Sequence, residues 1–380
     1  MIPASEKIRV AVLGCGQIAD AHLSQIQRIK SAEVVAVCDM HLDLAWQAAR
    51  RFQVPRFETG FTRMVEEARP DVVHLTTPAQ THAPLAIELL QAGCHVFVEK
   101  PFTLDARAAR DVLAVAAANG KLVCVGHDQL YDPAWLTCKK WVLQGLIGEV
   151  RHIESILGYP IDGKFGAQVS GNPQHWVRRL PGGLFQNTIS HPLYRITDLM
   201  NDVQPEIMGG WRTRPGMNFP TEMSISLQGR NQSGSLTFST FLPPQRMTRV
   251  YGTTGMIDID FDTQTLRLNP LTKLPGAFAK LEAPWRQVRN SLWNLGNNFW
   301  RFGRSDIHYF AGMKHLFQAF YDSIQHGGSP PIAPDEIERV TYLMDRIFDH
   351  CRKQELQTCR TEDTESIQFP GPKAEVSACL

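Results

Sequence analysis

Gly14, Gly16 and Ala19 follow a short β-rich run, Ile8–Leu13, at the spacing G-x-G-x-x-A. That spacing lets a backbone turn approach a diphosphate. Gly14 permits a tight turn that a side chain would resist. Gly16 leaves no Cβ between backbone and phosphate, and Ala19 lets the next helix lie close on the strand. Gln17 and Ile18 open that helix, where free N–H groups and the helix dipole favour phosphate charge. Asp39 stands 20 positions beyond Ala19, after the next β-rich run. A carboxylate there accepts from the ribose hydroxyls of NAD and repels the 2′-phosphate of NADP, and no arginine follows immediately to receive one. The spacing predicts an NAD site, with NADP the less favoured cofactor.

These residues meet only if strands and helices alternate correctly. Candidate strands are Ile8–Leu13, Glu33–Cys38, Asp71–Leu75, His95–Val98 and Leu122–Val125. Helical patterns lie between them at Ile18–Ile29, Leu42–Phe52, Phe61–Ala68, Ala83–Gln91 and Ala106–Ala118. The alternation predicts an α/β fold with a parallel, doubly wound sheet. Ligands of such sheets bind at the carboxyl ends of the strands. Those ends carry the glycine turn, Asp39, Thr76-Thr77-Pro78, Glu99-Lys100-Pro101 and Gly126-His127.

After the helical stretch Pro133–Leu143 the regime changes to strands and turns: Val150–Leu157, Thr221–Leu227, Gly234–Phe241, Met247–Tyr251 and Met256–Asp260. Few helices separate the later four, which predicts a largely antiparallel sheet. One helical segment, Gly182–Met200, interrupts it, and helices near Ile307–Ile324 and Pro334–Cys351 follow. Beyond Arg352 the chain turns polar and reads as a loose tail. The expected organisation is a nucleotide domain over 1–125, a second domain over 126–356 and a polar tail over 357–380.

The formal net charge of +1 gives no footprint for nucleic acid. The 8 cysteines show no C-x-x-C pair or zinc spacing, so no metal is expected, and their places in apolar runs suit a reducing cytoplasm. No run is long and apolar enough for a membrane span, and the first residues are too short and polar for a signal peptide.

Further motifs carry a resemblance. Thr77-Pro78-Ala79-Gln80-Thr81-His82 and Gly93-Cys94-His95-Val96-Phe97-Val98-Glu99-Lys100-Pro101, with the glycine turn and Asp39, resemble the glucose–fructose oxidoreductase / inositol dehydrogenase (Gfo/Idh/MocA) family. Val125-Gly126-His127, Gly182-Gly183 followed by His191, and more loosely Tyr251-Gly252-Thr253-Thr254-Gly255 fit it too. The resemblance implies a Rossmann domain followed by an α/β domain with an open, largely antiparallel sheet. It implies NAD(P)-dependent oxidation or reduction of a sugar, sugar derivative or cyclitol, and so a small-molecule partner. The open face of the second sheet commonly seeks a partner, so a homo-oligomer (dimer or tetramer) is expected.

It also implies that Lys100 meets substrate and nicotinamide. A lysine there can polarise the oxygen that becomes a carbonyl, and crowding by positive charge lowers its pKa. The family's second element is an aspartate four residues before a histidine; here the pair is Asn187 and His191. An amide cannot take a proton as a carboxylate does. Either His191 is the sole acid/base, or Lys100 takes that role with Asn187 orienting the substrate, or the activity is redirected. Pro192 should kink or restart the helix at His191. Trp176 and Arg178 (or Arg179) are expected near substrate, as is His127; Thr77, Pro78, His82 and Glu99 are expected near the cofactor. Ala79 replaces a commonly found asparagine. The readings are therefore an NAD-dependent dehydrogenase or reductase, a redox-neutral NAD-using glycosidase or epimerase, and a non-catalytic NAD-binding sensor.

One stretch stands apart: Pro284–Arg304, rich in Trp, Phe and Arg. Such a segment can serve a membrane interface, an anionic ligand or a partner. Because aromatic stripes usually bury in their own protein, the expectation is an insert that packs over the sheet or caps the active site.

Overall fold

The computed structural model describes residues 6–272, 274–304, 307 and 310–362. Its first part runs β1 (Ile8–Leu13), α1 (Gln17–Ile26), β2 (Ala32–Cys38), α2 (Leu42–Phe52), β3 (Phe57–Glu58), α3 (Phe61–Ala68), β4 (Val72–Leu75), α4 (His82–Gln91), β5 (His95–Val98), α5 (Ala106–Ala118) and β6 (Val123–Val125). These strands form a six-stranded sheet in the order β3-β2-β1-β4-β5-β6, every pair parallel. Its central strands are buried on both faces, which is why they read as unbroken apolar runs. The order reverses between β1 and β4, where a crevice opens at the carboxyl ends.

The chain continues through α6 (Pro133–Leu143), β7 (Val150–Gly158), α7 (Lys164–Gly171), α8 (Gly183–Thr188) and α9 (Ser190–Thr197). Then come β8 (Glu206–Arg212), β9 (Glu222–Gln228), β10 (Ser233–Ser239), β11 (Gln245–Gly252), β12 (Gly255–Asp260), β13 (Thr265–Pro270), α10 (Ala277–Gly303), α11 (Ala311–His326) and α12 (Pro334–Glu362). The second sheet has the order β13-β12-β11-β7-β10-β9-β8 and is antiparallel except for the β7–β10 pair. Strands β7, β10 and β11 alternate between buried and half-buried residues, so one face packs on helices and the other stays open.

Three strands escape the sequence patterns. β3 has two residues, β8 contains Gly209-Gly210, and β13 ends in Asn269-Pro270. The single helix expected over 182–200 is two helices. Pro192 cannot donate to a carbonyl four residues back, so the helix restarts at Ser190 and holds Pro192 in the first turn of α9. Helix α12 continues past Arg352 to Glu362, where a loose tail was expected; residues 363–380 lie outside the described residues. The chain also returns to the first sheet: Phe317, Phe320 and Tyr321 of α11 pack on Phe97 or the rings of His22 and His74.

The Pro284–Arg304 segment packs against the second sheet, as expected of an insert, but it does not bury its aromatics. The segment lies within α10, which packs along edge strand β13, and Trp285, Phe299 and Trp300 are each more than half exposed. The inward face is taken by asparagines that bond the strand's backbone, which leaves the apolar face outside.

Candidate active site

The glycine turn has the space its sequence implies. Gly14 sits at φ +100°, and a Cβ there would lie 2.8 Å from the backbone of Thr76 and Thr77. A Cβ on Gly16 would meet nothing within 4 Å, so the N-terminus of α1, with Gln17 and Ile18, opens on free space. Asp39 stands beside it: Oδ2 accepts from the Cys15 N–H at 2.8 Å and Oδ1 from the His41 N–H at 2.9 Å. An open cradle at a helix N-terminus with a carboxylate alongside fits a dinucleotide whose ribose is unphosphorylated.

The turn after β4 is braced from within. Thr81 donates its hydroxyl to Thr77 Oγ at 2.8 Å, next to Pro78. His82 is buried, and its two ring nitrogens lie 2.9 Å from the carbonyls of Pro101 and Thr77. It ties the β4 and β5 turns together and has no nitrogen left for a ligand.

Glu99 is buried and its Oε2 accepts from the Lys100 N–H at 3.0 Å. Its Oε1 lies 2.9 Å from His22 Nε2, His22 Nδ1 lies 2.9 Å from His74 Nδ1, and His74 Nε2 lies 2.8 Å from the Tyr321 hydroxyl. With Glu99 ionised and both rings neutral, one order satisfies every contact: Tyr321 donates to His74, His74 to His22, and His22 to Glu99. Burial pushes the Glu99 carboxyl up, but the hydrogen bond from His22 and the Lys100 charge outweigh it and hold it below its ordinary value. Burial keeps His74 well below and Tyr321 well above their ordinary values, so both stay neutral.

Lys100 projects from this network to the second domain. Its Nζ lies 3.0 Å from the Asn187 carbonyl and 3.5 Å from Asn187 Oδ1. Burial lowers its pKa against the upward pull of Glu99 and Asp128. Asn187 is nearly buried near the end of α8, and His191 follows in the first turn of α9.

His191 Nδ1 lies 2.8 Å from the Tyr194 hydroxyl, which donates to Asp128 Oδ1 at 3.3 Å and accepts from the Gln129 N–H at 3.3 Å. The single hydroxyl proton goes to the carboxylate, so His191 Nδ1–H must donate to the Tyr194 oxygen. Nε2 then keeps its lone pair, and no protein group among the described residues hydrogen-bonds it. Burial, with the charges of Lys100, Arg195 and Arg246, holds His191 well below its ordinary pKa. Burial and Glu99 push Asp128 up to about 6. A neutral imidazole with a bare Nε2 can take a proton from a hydroxyl, and an ammonium across from it can polarise the same oxygen.

His127 is buried beside Tyr194, with ring centroids 4.5 Å apart and Nδ1 unpartnered; burial drives its pKa down to about 3. Trp176 is half-buried, and its carbonyl accepts from Gln80 Nε2 at 3.2 Å, so it bridges the two domains. Arg178 Nη2 donates to Asn218 Oδ1 at 2.7 Å and the guanidinium lies 4.6 Å from the Phe219 ring centre, while its Nη1 is buried with no protein partner among the described residues. Asp128, Tyr194, His22, His74 and Tyr321 escape the sequence reading. Two had a signal: Asp128 follows His127 at a strand end, and Tyr194 lies one helical turn beyond His191. No group of described side chains could hold a metal ion.

A Rossmann sheet with an NAD-type cradle, closed by a second sheet domain that carries a histidine and an amide, defines a two-domain dinucleotide-binding α/β protein. The chain belongs to the GFO/IDH/MocA oxidoreductase family: the model described as "Oxidoreductase family, NAD-binding Rossmann fold" matches residues 8–127 and the "GFO/IDH/MocA C-terminal domain" matches 135–258. Inositol 2-dehydrogenase 4 of Saccharopolyspora erythraea is 34% identical over 147 residues, 38% of this chain and 44% of that protein. Alpha-N-acetylgalactosaminidase of Shewanella oneidensis is 28% identical over 162 residues, 40% of this chain and 35% of that protein. The match thus spans less than half the length of these curated relatives. The WlbA dehydrogenase of Bordetella pertussis, solved with NADH and UDP-GlcNAcA, shares the fold with TM-score 0.73 at 18% identity, over 92% of this chain and 97% of that one. No helix among the described residues is long and apolar enough to cross a membrane.

Proposed function

We propose that the chain is an NAD-dependent dehydrogenase or reductase that acts on a CH–OH carbon of a sugar, sugar derivative or cyclitol. The observation that carries this reading is the approach of Lys100 Nζ to Asn187, with the Lys100 charge acting on His191, from the strand-end edge that also carries Gly14 and Asp39. NAD supplies the two-electron acceptor, and its reduced form the donor, when bound. Gly14, Gly16, Gln17 and Ile18 hold the diphosphate, Asp39 the adenosine ribose, and Thr77 and Pro78 line the path towards Lys100. Lys100 polarises the reacting oxygen. His191 Nε2 takes the hydroxyl proton in oxidation and returns it in reduction. Asn187 orients that oxygen with its amide, and Asp128 through Tyr194 sets the tautomer of His191. The carboxylate that the family carries four residues before the histidine is thus replaced by one from another element.

His127 and Trp176 line the substrate side. The open, half-exposed face of the second sheet supports a homo-oligomer, and six buried free cysteines support a reducing cytoplasm. The likeness to a named N-acetylgalactosaminidase favours one second reading, a redox-neutral NAD-using glycosidase of the same fold.

The test is NADH absorbance across cyclitols, sugars and nucleotide sugars, with NAD and NADP compared. NADH formation with NAD preferred is expected. Turnover without net NADH favours the glycosidase, and a clear preference for NADP removes the role given to Asp39.

A further inference from the structure

Helix α10 is built inside out. Its 27 residues span about 40 Å along edge strand β13. The face that meets strand β13 is polar, with Trp293 beside it against Trp141, ring centres 6.0 Å apart. Asn294 accepts from the Leu266 N–H at 2.9 Å and donates to the Leu266 carbonyl at 3.0 Å. Asn290 donates to the Leu268 carbonyl at 3.3 Å and Asn298 to that of Thr263 at 3.0 Å. Arg301 donates to Gln264 Oε1 at 2.8 Å. The helix thereby caps the sheet edge with side-chain amides.

The opposite face is apolar and bare. Alternating steps of three and four lead from Phe278 and Leu281 through Trp285 and Leu292 to Phe299 and Phe302. At 100° per residue Phe278, Leu281, Trp285, Leu292 and Phe299 lie about 140–200° from Asn294, with Phe302 at the border of the stripe. Trp285 and Phe299 are each 69% exposed and Phe302 is 72% exposed. At roughly 100 Å² each, these six alone reach the ~600 Å² upper end for an apolar patch on an ordinary monomer.

We propose that α10 is an interfacial anchor that lays its Trp/Phe/Leu stripe into an anionic lipid surface. The charge pattern selects this occupant. Exposed Arg289 borders the stripe, exposed Lys280 stands in the first turn on the side of the asparagines, and exposed Arg304, over the Trp300 ring, ends the helix. The helix's acidic residue, Glu282, is neutralised by Arg286. Cations beside an aromatic face can reach lipid phosphates while the rings sit at headgroup level. A second copy of the helix fits less well: it brings like charges together, and although Leu281, Val288, Leu292 and Leu295 suit a two-stranded seam, Phe278, Trp285, Phe299 and Phe302 fill the other seam positions. No spanning helix is involved, since α10 keeps its polar face on the sheet.

The full-length protein is floated with vesicles of phosphatidylcholine alone and of phosphatidylcholine with phosphatidylglycerol. Co-flotation with the anionic vesicles is expected, about tenfold above neutral ones and lost at high salt. Leu292→Glu with Phe299→Glu should abolish it while thermal melt and NAD affinity stay at wild-type values. Lys280→Glu with Arg289→Glu, a purely surface change, should weaken it about tenfold and serves if the first variant misfolds. Wild-type protein that stays off both vesicles overturns the proposal, as does flotation unaffected by either variant. A dimer that Leu292→Glu with Phe299→Glu dissociates, with no vesicle binding by wild type, also overturns it and gives the stripe to a second copy.

Discussion

The two walls of the crevice hold their polar groups by different means. On the Rossmann wall, Lys100 stands on a sealed chain of Glu99, His22, His74 and Tyr321, in which burial keeps His74 and Tyr321 neutral. On the facing wall, His191 is joined through Tyr194 to Asp128, whose carboxyl titrates near 6, within reach of ordinary pH. The first arrangement holds Lys100 through buried partners, His74 and Tyr321, that stay neutral. The second couples the histidine tautomer to a proton outside it. On the proposed mechanism, positioning and proton handling are thus divided between the domains.

The largest expected effect comes from emptying the Rossmann wall. Lys100→Ala should lower kcat about 10³-fold on whichever substrate the screen identifies, measured as NADH formation; intact turnover would remove Lys100 from the site. His191→Asn breaks the facing wall and should cost about 10²-fold in kcat with NAD affinity unchanged. Asp128→Asn sharpens the comparison. It should cost about tenfold in kcat, because the amide no longer claims the Tyr194 proton as firmly. It should also stabilise the fold. A carboxyl raised from 3.8 to about 6 holds its proton more tightly when folded, so its ionised form costs stability above pH 6 and none below about pH 4. Thermal melts should therefore rise by the equivalent of about 1–3 kcal/mol at pH 7 and stay level near pH 4. The smallest functional effect belongs to Tyr321→Phe, far from the crevice. Chemical denaturation should show a loss of about 1 kcal/mol from an unpaired His74, with kcat within about twofold of wild type.

The contrast between walls also explains what the sequence could disclose. The Rossmann wall follows local rules: apolar runs mark the strands, and each strand end delivers its next residues to one edge, so Gly14, Asp39, Thr77 and Lys100 are legible as neighbours. Tyr321 is not, because nothing in 311–326 says which sheet that helix covers. Asn187 and His191 are legible as one helix face, and Pro192 as a restart. Their link to Asp128 is a contact across 66 positions between Tyr194 and the strand-end loop, which no spacing records. Helix α10 shows the reverse failure. Its stripe is plain in the sequence, but the sense of the helix depends on asparagines that find a bare strand edge, and β13, with two leucines before Asn269-Pro270, carries too little apolar pattern to announce that edge.

The most direct test of the divided arrangement is the pH dependence of kcat for oxidation in wild type and in Asp128→Asn. Ionised Asp128 holds the Tyr194 proton and keeps His191 Nε2 bare; once protonated, it frees that proton for Nδ1 and the base is lost. Wild-type kcat should therefore fall as pH drops through about 6, and that limb should be absent from Asp128→Asn. An acid limb that persists unchanged in the variant would contradict the coupling of Asp128 to His191.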